Sequence, residues 1–484
     1  MLTTEEINFF INLDKGSKIK RYARKGRDYY KANHDIKHYR MFYYDSDGNL
    51  VEDTTRSNTK IAHTFFHELV DQEVQYMLSN DEGFVKSDDP ELQNKLDDYF
   101  NYNENFIAEI HKLLTGCVSK GFEYMYAYRN EEDELSFMCA DSLGVVEVRD
   151  KDTDDGCSYV IYWYIDKIVK EDKKIKKIQV WSANDVTYYV QEDDGKIILD
   201  PGESINPRYH ALYKKKSDNN IYGKSFGYIP FFRLDNNEDQ RSGLYIIKDL
   251  IDDYDLMASS LSNNLIDFDH PLYAVSGFEG DNLEELQQNI KTKKMIGVGE
   301  GGNVEIKTID IPFQARQAKL DLDEKNIYRF GMGLNSSGLK DTNATTNIAI
   351  KALYSLLDLK CSKLEIKLKQ FMRKILKAVL KDINEREGTD YQSKQVYFKF
   401  IHKIMSNEQE LAQTKLIEAQ AKETFINIMI TLFDYLPSET IIKEICAYLD
   451  IDYEEIKDKL PKPKEAYEQV DDVTDTLNKT VPDE

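Results

Sequence analysis

Residues 244–268 keep a helical apolar spacing over about 25 positions, and residues 313–331 keep it again after a compact excursion at 269–310. At 1.5 Å per residue these are rods of about 37 Å and nearly 30 Å. A helix–excursion–helix hairpin of that length cannot bury both faces inside the core of one subunit. Identical neighbours supply the missing cover when heterologous contacts close into a ring. The loop that follows, "GMGLNSSGLKDTNATTN" at 331–347, would then sit where the ring narrows. Its Gly, Asn, Ser and Thr content makes it polar and mobile.

The formal net charge of -23 bears directly on what such a ring could surround. Tight nucleic-acid binding neutralises phosphates with Lys and Arg, so a chain with this balance is not expected to wrap nucleic acid tightly. An acidic lining still lets DNA pass without being held. With 484 residues, 41% hydrophobic and 31% charged, the chain is globular and long enough for two to four domains. Cys117, Cys139, Cys157, Cys361 and Cys446 are scattered, with no C-x-x-C pair, and suggest neither a disulfide framework nor a zinc ribbon. A reduced, cytoplasmic place of synthesis is expected. The start "MLTTEEINFFINLDKG" has no basic region ahead of an apolar core, and no window holds eighteen apolar residues. Neither a signal peptide nor a membrane span is predicted.

Along the chain, residues 3–33 read as polar helix with a basic cluster "KIKRYARKGR" at 18–27: a solvated face or subunit contact, or else a nucleic-acid patch. Alternation around "DSDG" at 45–48 predicts a hairpin. A helix is expected from about Asn58, with Ile61, Phe65, Leu69 and Tyr76 near one face, and another over roughly 90–119. From 121 to about 217, short β-rich runs separated by charged turns predict an antiparallel region of six or more strands. No long helices separate them, which excludes a doubly wound nucleotide-binding sheet. The excursion carries β-like runs at 271–277 and 295–299 around a short helix, "NLEELQQNI". A very long helix follows at about 346–384, with Leu353, Leu357, Leu364, Leu368, Phe371, Ile375 and Val379 at helical spacing. A strand "KQVYFKFIH" and a helical block at 406–459 come next. The tail from Pro461 is acidic and poor in apolar residues, so disorder is expected.

The chemical motifs weaken on inspection. A phosphate-binding loop needs G-x-x-x-x-G-K-[ST] after a buried strand. Here Leu339 separates Gly338 from Lys340, and Asp341 stands where the hydroxyl should be. His63 and His67 have the i, i+4 spacing of a zinc pair, but without a third ligand a structural reading is favoured. "DSDGN" (45–49) and "DKDTDDG" (150–156) resemble calcium loops. In the latter Asp155 takes the glycine position and Ile161 the glutamate position, so hairpin turns are expected instead. No catalytic, metal or cofactor site is predicted.

Four stretches then carry a resemblance. "IPFFRLDNNEDQRSGLYIIKDLIDDYDLMASSLSNNLIDF" (229–268) resembles the entry into the stem of phage portal proteins from long-tailed phages of Gram-positive hosts. "NTKIAHTFFHELVDQEVQYML" (58–78) resembles that family's N-terminal signature. "GLNSSGLKDTNATTNIAIKALYSLLDLKCSKLEIKLKQFM" (333–372) resembles its tunnel loop and following helix, and "VYFKFIHKIMSNEQELA" (396–412) its passage into the crown. The resemblance implies an α+β portal-type subunit. Residues 1–243 would form N-terminal helices and a β-rich wing, 244–268 the first stem helix, 269–310 the clip and 311–333 the second stem helix. The tunnel loop would be 334–347, the wing's spine helix and strand 348–405, the helical crown 406–460 and an acidic disordered tail 461–484.

It also implies a dodecameric ring at one capsid vertex of the virion, made in the host cytoplasm. That ring would seed procapsid assembly with the major capsid and scaffolding proteins and dock the terminase large subunit. It would pass double-stranded DNA without sequence preference and join head to tail through a head-completion adaptor. No membrane is involved, and ATP hydrolysis belongs to the terminase. Carried onto this sequence, Gly331, Gly333 and Gly338 would permit a hinge. Asn335, Ser336, Ser337, Thr342, Asn343 and Thr345 would face DNA, with Lys340 attractive and partly offset by Asp341. Terminase and adaptor contacts would fall on Phe278, Glu279, Asn282, Glu284, Glu285, Gln288, Lys291 and Lys293. The plainer alternative for the loop is an interhelix connection facing solvent. For the whole chain the alternatives are another virion ring or scaffold, such as an adaptor or baseplate component, or a nucleotide- or metal-dependent enzyme.

Overall fold

A computed structural model describes residues 1–54, 56–80, 83–130, 133–149, 157–166, 174–193, 195–214, 221–268, 272–278, 286, 298–307, 312–335, 347–402, 408–432, 435–449, 453 and 457. The helices are α1 (Thr4–Gly16), α2 (Lys18–Tyr30), α3 (Phe65–Met77), α4 (Pro90–Leu96) and α5 (Glu104–Lys120). They continue with α6 (Leu244–Phe268), α7 (Phe313–Gly331), α8 (Asn347–Glu387), α9 (Glu408–Thr431) and α10 (Ser438–Tyr448). The chain divides into two compact units, the second holding α9, α10 and the first turn of α8. Within that second unit Phe425 of α9 stacks on Tyr448 of α10 with ring centres 4.0 Å apart, and Ile441 and Cys446 are buried. No helix among the described residues is long and apolar enough to cross a membrane.

In the first unit every strand pairing is antiparallel. Strands β6 (Val145–Arg149), β7 (Cys157–Ile165), β8 (Ile175–Trp181), β9 (Asp185–Glu192) and β10 (Ile198–Leu199) lie side by side in chain order, as a meander. Strand β4 (Phe122–Arg129) sits between β5 (Leu135–Ala140) and β14 (Phe231–Asp235) in a separate sheet. Helix α1 begins with a capping box in which Thr3 and Glu6 satisfy each other's backbone N–H. It turns Ile7 and Ile11 onto Val146, Ile161, Ile178 and Val180 of the meander. Ala23 of α2 meets Phe122, Tyr124, Val160 and Trp181, which draws the two sheets and the helices into one core.

The basic run at 18–27 is therefore not one solvated face. Lys20 is buried, pairs with Asp14 at 3.0 Å and donates to the carbonyls of Ser142 and Val145. Helix α8 buries Leu357, Leu364, Leu368, Phe371, Ile375 and Val379 of the expected stripe, with Cys361 in line, but Leu353 faces solvent. Tyr354 takes the inward place one residue on, with its ring against Tyr76. The expected helix over 90–119 is interrupted by a π-turn at Asp97–Asn101, which brings Asn101 inward to hold the backbone N–H of Phe84 and Val85. The "DSDG" hairpin forms as β1 (Phe42–Tyr44) and β2 (Leu50–Glu52), while "DKDTDDG" lies outside the described residues.

The helix expected from Asn58 begins only at Phe65, because the preceding backbone is committed elsewhere. The amides of Ser57, Thr59, Ile61 and His63 donate in turn to Asp267, Asn263, Ser259 and Asp255 of α6, at 3.1, 2.7, 3.0 and 2.8 Å. Alternate residues of an extended chain advance about 6.6 Å. Residues four apart on a helix advance about 6.0 Å. An extended segment can therefore read one stripe of a helix rung by rung. His63 and His67 consequently do not share a site: His63 goes to Asp255 at 2.9 Å, and His67 to the carbonyl of Tyr30 and to Asp71.

Asp255 is wholly buried and also accepts from His34 Nδ1 at 2.6 Å, while the His34 ring stacks on Tyr29. Tyr29 in turn donates to Asp252, and Lys248 bridges Asp252 and Asp35. Burial pushes the Asp255 carboxyl up, but the hydrogen bonds from His34 and His63 outweigh it and hold the group below the usual carboxylate range. Its contribution is whole above the unfolded value of about 3.9 and is lost as pH falls through the lower folded value. Asp255→Ala is expected to cost about 3–5 kcal/mol at neutral pH, since it strands a buried histidine. Urea unfolding should show that gap from the parent narrowing below about pH 4.

Candidate functional site

Helices α6 and α7 pack along each other and are joined at their outer ends by the excursion. Of that excursion the structure describes β15 (Leu272–Phe278) and β16 (Val298–Lys307), antiparallel partners with a bulge between Ser276 and Phe278. Leu244, Ile247 and Ile251 of α6 and Leu320, Ile327 and Tyr328 of α7 turn inward. Lys319 of α7 ties Asp253 of α6 at 2.5 Å. The first turn of α3 grips both rods. Phe65 stands edge-on to Tyr254 of α6 at 4.9 Å and to Tyr328 of α7 at 5.9 Å, and the Tyr328 hydroxyl donates to Glu68 at 2.7 Å. Edge-to-face rings of this kind add about 0.5–1.5 kcal/mol per pair beyond their buried area.

Several apolar side chains on both rods have no cover within the subunit. Tyr245, Ile246, Leu256, Leu265 and Ile266 on α6, and Phe313, Leu322 and Phe330 on α7, are exposed. Single exposed apolar side chains are ordinary on a soluble protein; here Tyr245, Ile246 and Leu256 lie on the outward side of α6, while Leu265, Ile266 and Phe313 stand at the far ends of the rods in line with the inward stripe.

At the exit of α7 the chain is held to α3. Gly331 and Gly333 are required there by closeness: a Cβ would fall 2.7 Å from Leu69 Cδ1 at position 331 and 2.0 Å from Leu69 Cδ2 at position 333. The left-handed residue is Met332 between them, at φ 55° and ψ 39°. Gln72 then clamps Leu334, accepting its N–H at 2.8 Å and donating to its carbonyl at 2.9 Å. Asn335 donates to Glu324 of α7 at 3.3 Å. Ser336, Ser337, Gly338, Lys340, Asp341, Thr342, Asn343 and Thr345 lie outside the described residues. In the excursion, the backbone of Phe278 pairs with Val298, while Glu279, Asn282, Glu284, Glu285, Gln288, Lys291 and Lys293 lie outside them too.

Sequence reasoning placed Leu69 on an apolar helix face, where it is buried, but passed over Gln72 and Asp255. For Asp255 a signal existed: Ile247, Ile251, Asp255 and Ser259 are four apart on one stripe, so a carboxylate occupies a core position. Gln72 carries no such mark, because its partner is the backbone 262 residues away.

Gly333→Ala is expected to destabilise by about 1–3 kcal/mol through overpacking. In a Leu69→Ala background the added methyl has room, so a double-mutant cycle by chemical denaturation should return a favourable coupling of about 0.5–3 kcal/mol.

Comparison with known proteins places this arrangement. Residues 12–427 match the family described as "Phage portal protein, SPP1 Gp6-like". The chain is 26% identical over 395 residues to the portal protein of Bacillus phage SPP1, covering 81% of this chain and 76% of that one. It is 24% identical over 397 residues to the portal protein of Clostridium phage phiCD119, covering 80% and 83% respectively. A match over residues 12–427 shows the family, one that is structural rather than enzymatic and implies an oligomeric ring in the phage head: the chain belongs to the SPP1 Gp6-like family of phage portal proteins.

Proposed function

We propose that twelve copies of this chain close into a ring whose channel carries double-stranded DNA at one capsid vertex. The ring docks the terminase large subunit during packaging and the head-completion adaptor afterwards, and seeds the procapsid with major capsid and scaffolding proteins. It serves again when the genome leaves. The observation that carries this reading is the set of uncovered apolar side chains along α6 and α7, within a chain that belongs to a portal family. Uncovered apolar side chains on more than one side of the rods fit heterologous neighbours, and heterologous contacts that close make rings.

In this reading α6 and α7 form the stem, 269–310 the clip, 334–347 the tunnel loop and 406–460 the crown. The net charge of -23 supports a conduit over a binder, since few phosphates are neutralised and few counterions released. Lys340 supplies a single attractive charge to a passing backbone, and Asp341 weakens it. The clamp of Gln72 on Leu334 supports a loop pinned at its first residues and free to differ beyond them.

Negative-stain images of the purified protein, with particle mass measured in parallel, are expected to show rings with a central hole and about a dozen subunits. A monodisperse particle near the 56.4 kDa chain mass would sink the reading. Lys340→Ala and Asn335→Ala are each expected to lower the yield of DNA-filled capsids severalfold without changing ring mass. Unchanged packaging and retention in both variants would remove the loop from the mechanism.

A further inference from the structure

Two features of the chain are complementary in chemistry, and the first takes in Tyr245 and Ile246 from the uncovered set on α6. The first is a groove of about 730 Å³ between α2 and the start of α6, lined among others by Lys18, Arg21, Tyr22, Arg241, Tyr245 and Ile246. The Arg241 guanidinium lies over the Tyr245 ring at 4.2 Å and the Tyr22 ring at 5.7 Å, and Lys18 over Tyr22 at 5.8 Å. Nearby cations are spoken for: Lys20 by Asp14, Lys25 by Asp35, Lys248 by Asp35 and Asp252. Among the described residues, Lys18, Arg21 and Arg241 form no ion pair, and Asp249 is the one carboxylate in the groove lining. In so acidic a chain, three unpaired cations set around two exposed tyrosines make a socket for something acidic and aromatic.

The second feature is the hairpin of β1 and β2. All six strand residues are exposed. The register sets Phe42, Tyr44, Leu50 and Glu52 on one face and Tyr43 and Val51 on the other, with Tyr44 74% exposed. The tip is well made: the Asp45 carboxylate accepts the N–H of Asp47 at 2.9 Å and of Asn49 at 2.8 Å, and Gly48 supplies the positive φ. A lone two-stranded ribbon is marginal in water, and this one shows apolar side chains on both faces. A formed turn on strands whose apolar side chains stay exposed points to a seat outside the subunit. No hairpin residue lines the groove of its own chain.

A ring interface needs two different patches on each subunit that fit each other, and these two match in charge and in aromatic character. We infer that the hairpin of one subunit seats in the groove of its neighbour. Its acidic tip at Asp45 and Asp47 meets Lys18 and Arg21, and its aromatic strand lies on Tyr22 and Tyr245. The inference rests on the ring reading and names the contact that closes it.

The test uses the full chain with Arg21→Cys and Asp47→Cys combined, oxidised after assembly and run without reductant. A ladder of covalently linked subunits is expected, with none from either single variant, which also controls for the half-buried Cys139 and Cys157. Arg21→Glu should lower the fraction of chain in rings severalfold at low salt, and adding Asp47→Lys should restore it. Rings of normal mass with no ladder would overturn the seating while leaving the ring reading intact. So would rings that bind a short DNA duplex through a site that Arg21→Glu abolishes, since the groove would then belong to nucleic acid. A parent chain that stays at one subunit's mass would overturn the ring reading and the seating together.

Discussion

The structure depends on how α6 is held, because a 25-residue rod cannot be fixed by packing along its whole length. Its apolar stripe runs Leu244, Ile247, Ile251 and then changes character: Asp255 and Ser259 are buried, and Asn263 and Asp267 follow on the same line. From there the extended segment before α3 takes over, offering alternate backbone N–H groups to these four side chains. Backbone donors must be satisfied whether or not they sit in regular structure, and here satisfying them is what fastens the rod. The segment therefore pays for its lack of helix with a tether. Asp255 is the deepest rung, and it also gathers His34 and His63, so the N-terminal helices, the α3 signature and the rod meet at one carboxylate.

From that anchor the remaining geometry follows by contact. Once α6 is placed, Tyr254 presents its ring to Phe65, and Phe65 presents its own to Tyr328, which sets α7 alongside. The end of α7 then falls against Leu69, where only glycine fits at 331 and 333, and Gln72 catches the backbone as it leaves. One helix, α3, thus grips the middle of one rod and the exit of the other. An acidic protein with this build keeps its cations for specific partners. Lys20, Lys25, Arg27 and Lys248 of α2 and α6 face named carboxylates, while Lys18, Arg21 and Arg241 gather in one groove.

Much of this was legible in the sequence because it rests on periodicity. The limits of α6 and α7 agree with the helical spacing, the meander with the alternation, and the long helix α8 with its stripe of Leu and Phe. What escaped was decided by long-range polar contacts. Residues 58–64 have helical spacing, yet their amides are captured by a helix about 200 positions away, and tertiary hydrogen bonds override local propensity. Leu353 and Tyr354 differ by one position on a helix, a difference that only the Tyr76 ring resolves. The glycines near 331 were expected to serve backbone freedom. The structure gives 331 and 333 a steric reason, which no single-sequence pattern carries because the obstacle is a leucine in another helix.

The ladder on α6 also has the arithmetic of a vernier scale. Its two rulings differ by about 0.6 Å per step, so across three intervals the drift is about 1.8 Å. Bending and side-chain reach absorb that, and all four rungs stay between 2.7 and 3.1 Å, with the longest at Asp267. One or two steps more would carry the rulings out of coincidence. The segment thus measures out its own length on the rod and stops, and the last residue it can mark lies one position before the helix ends.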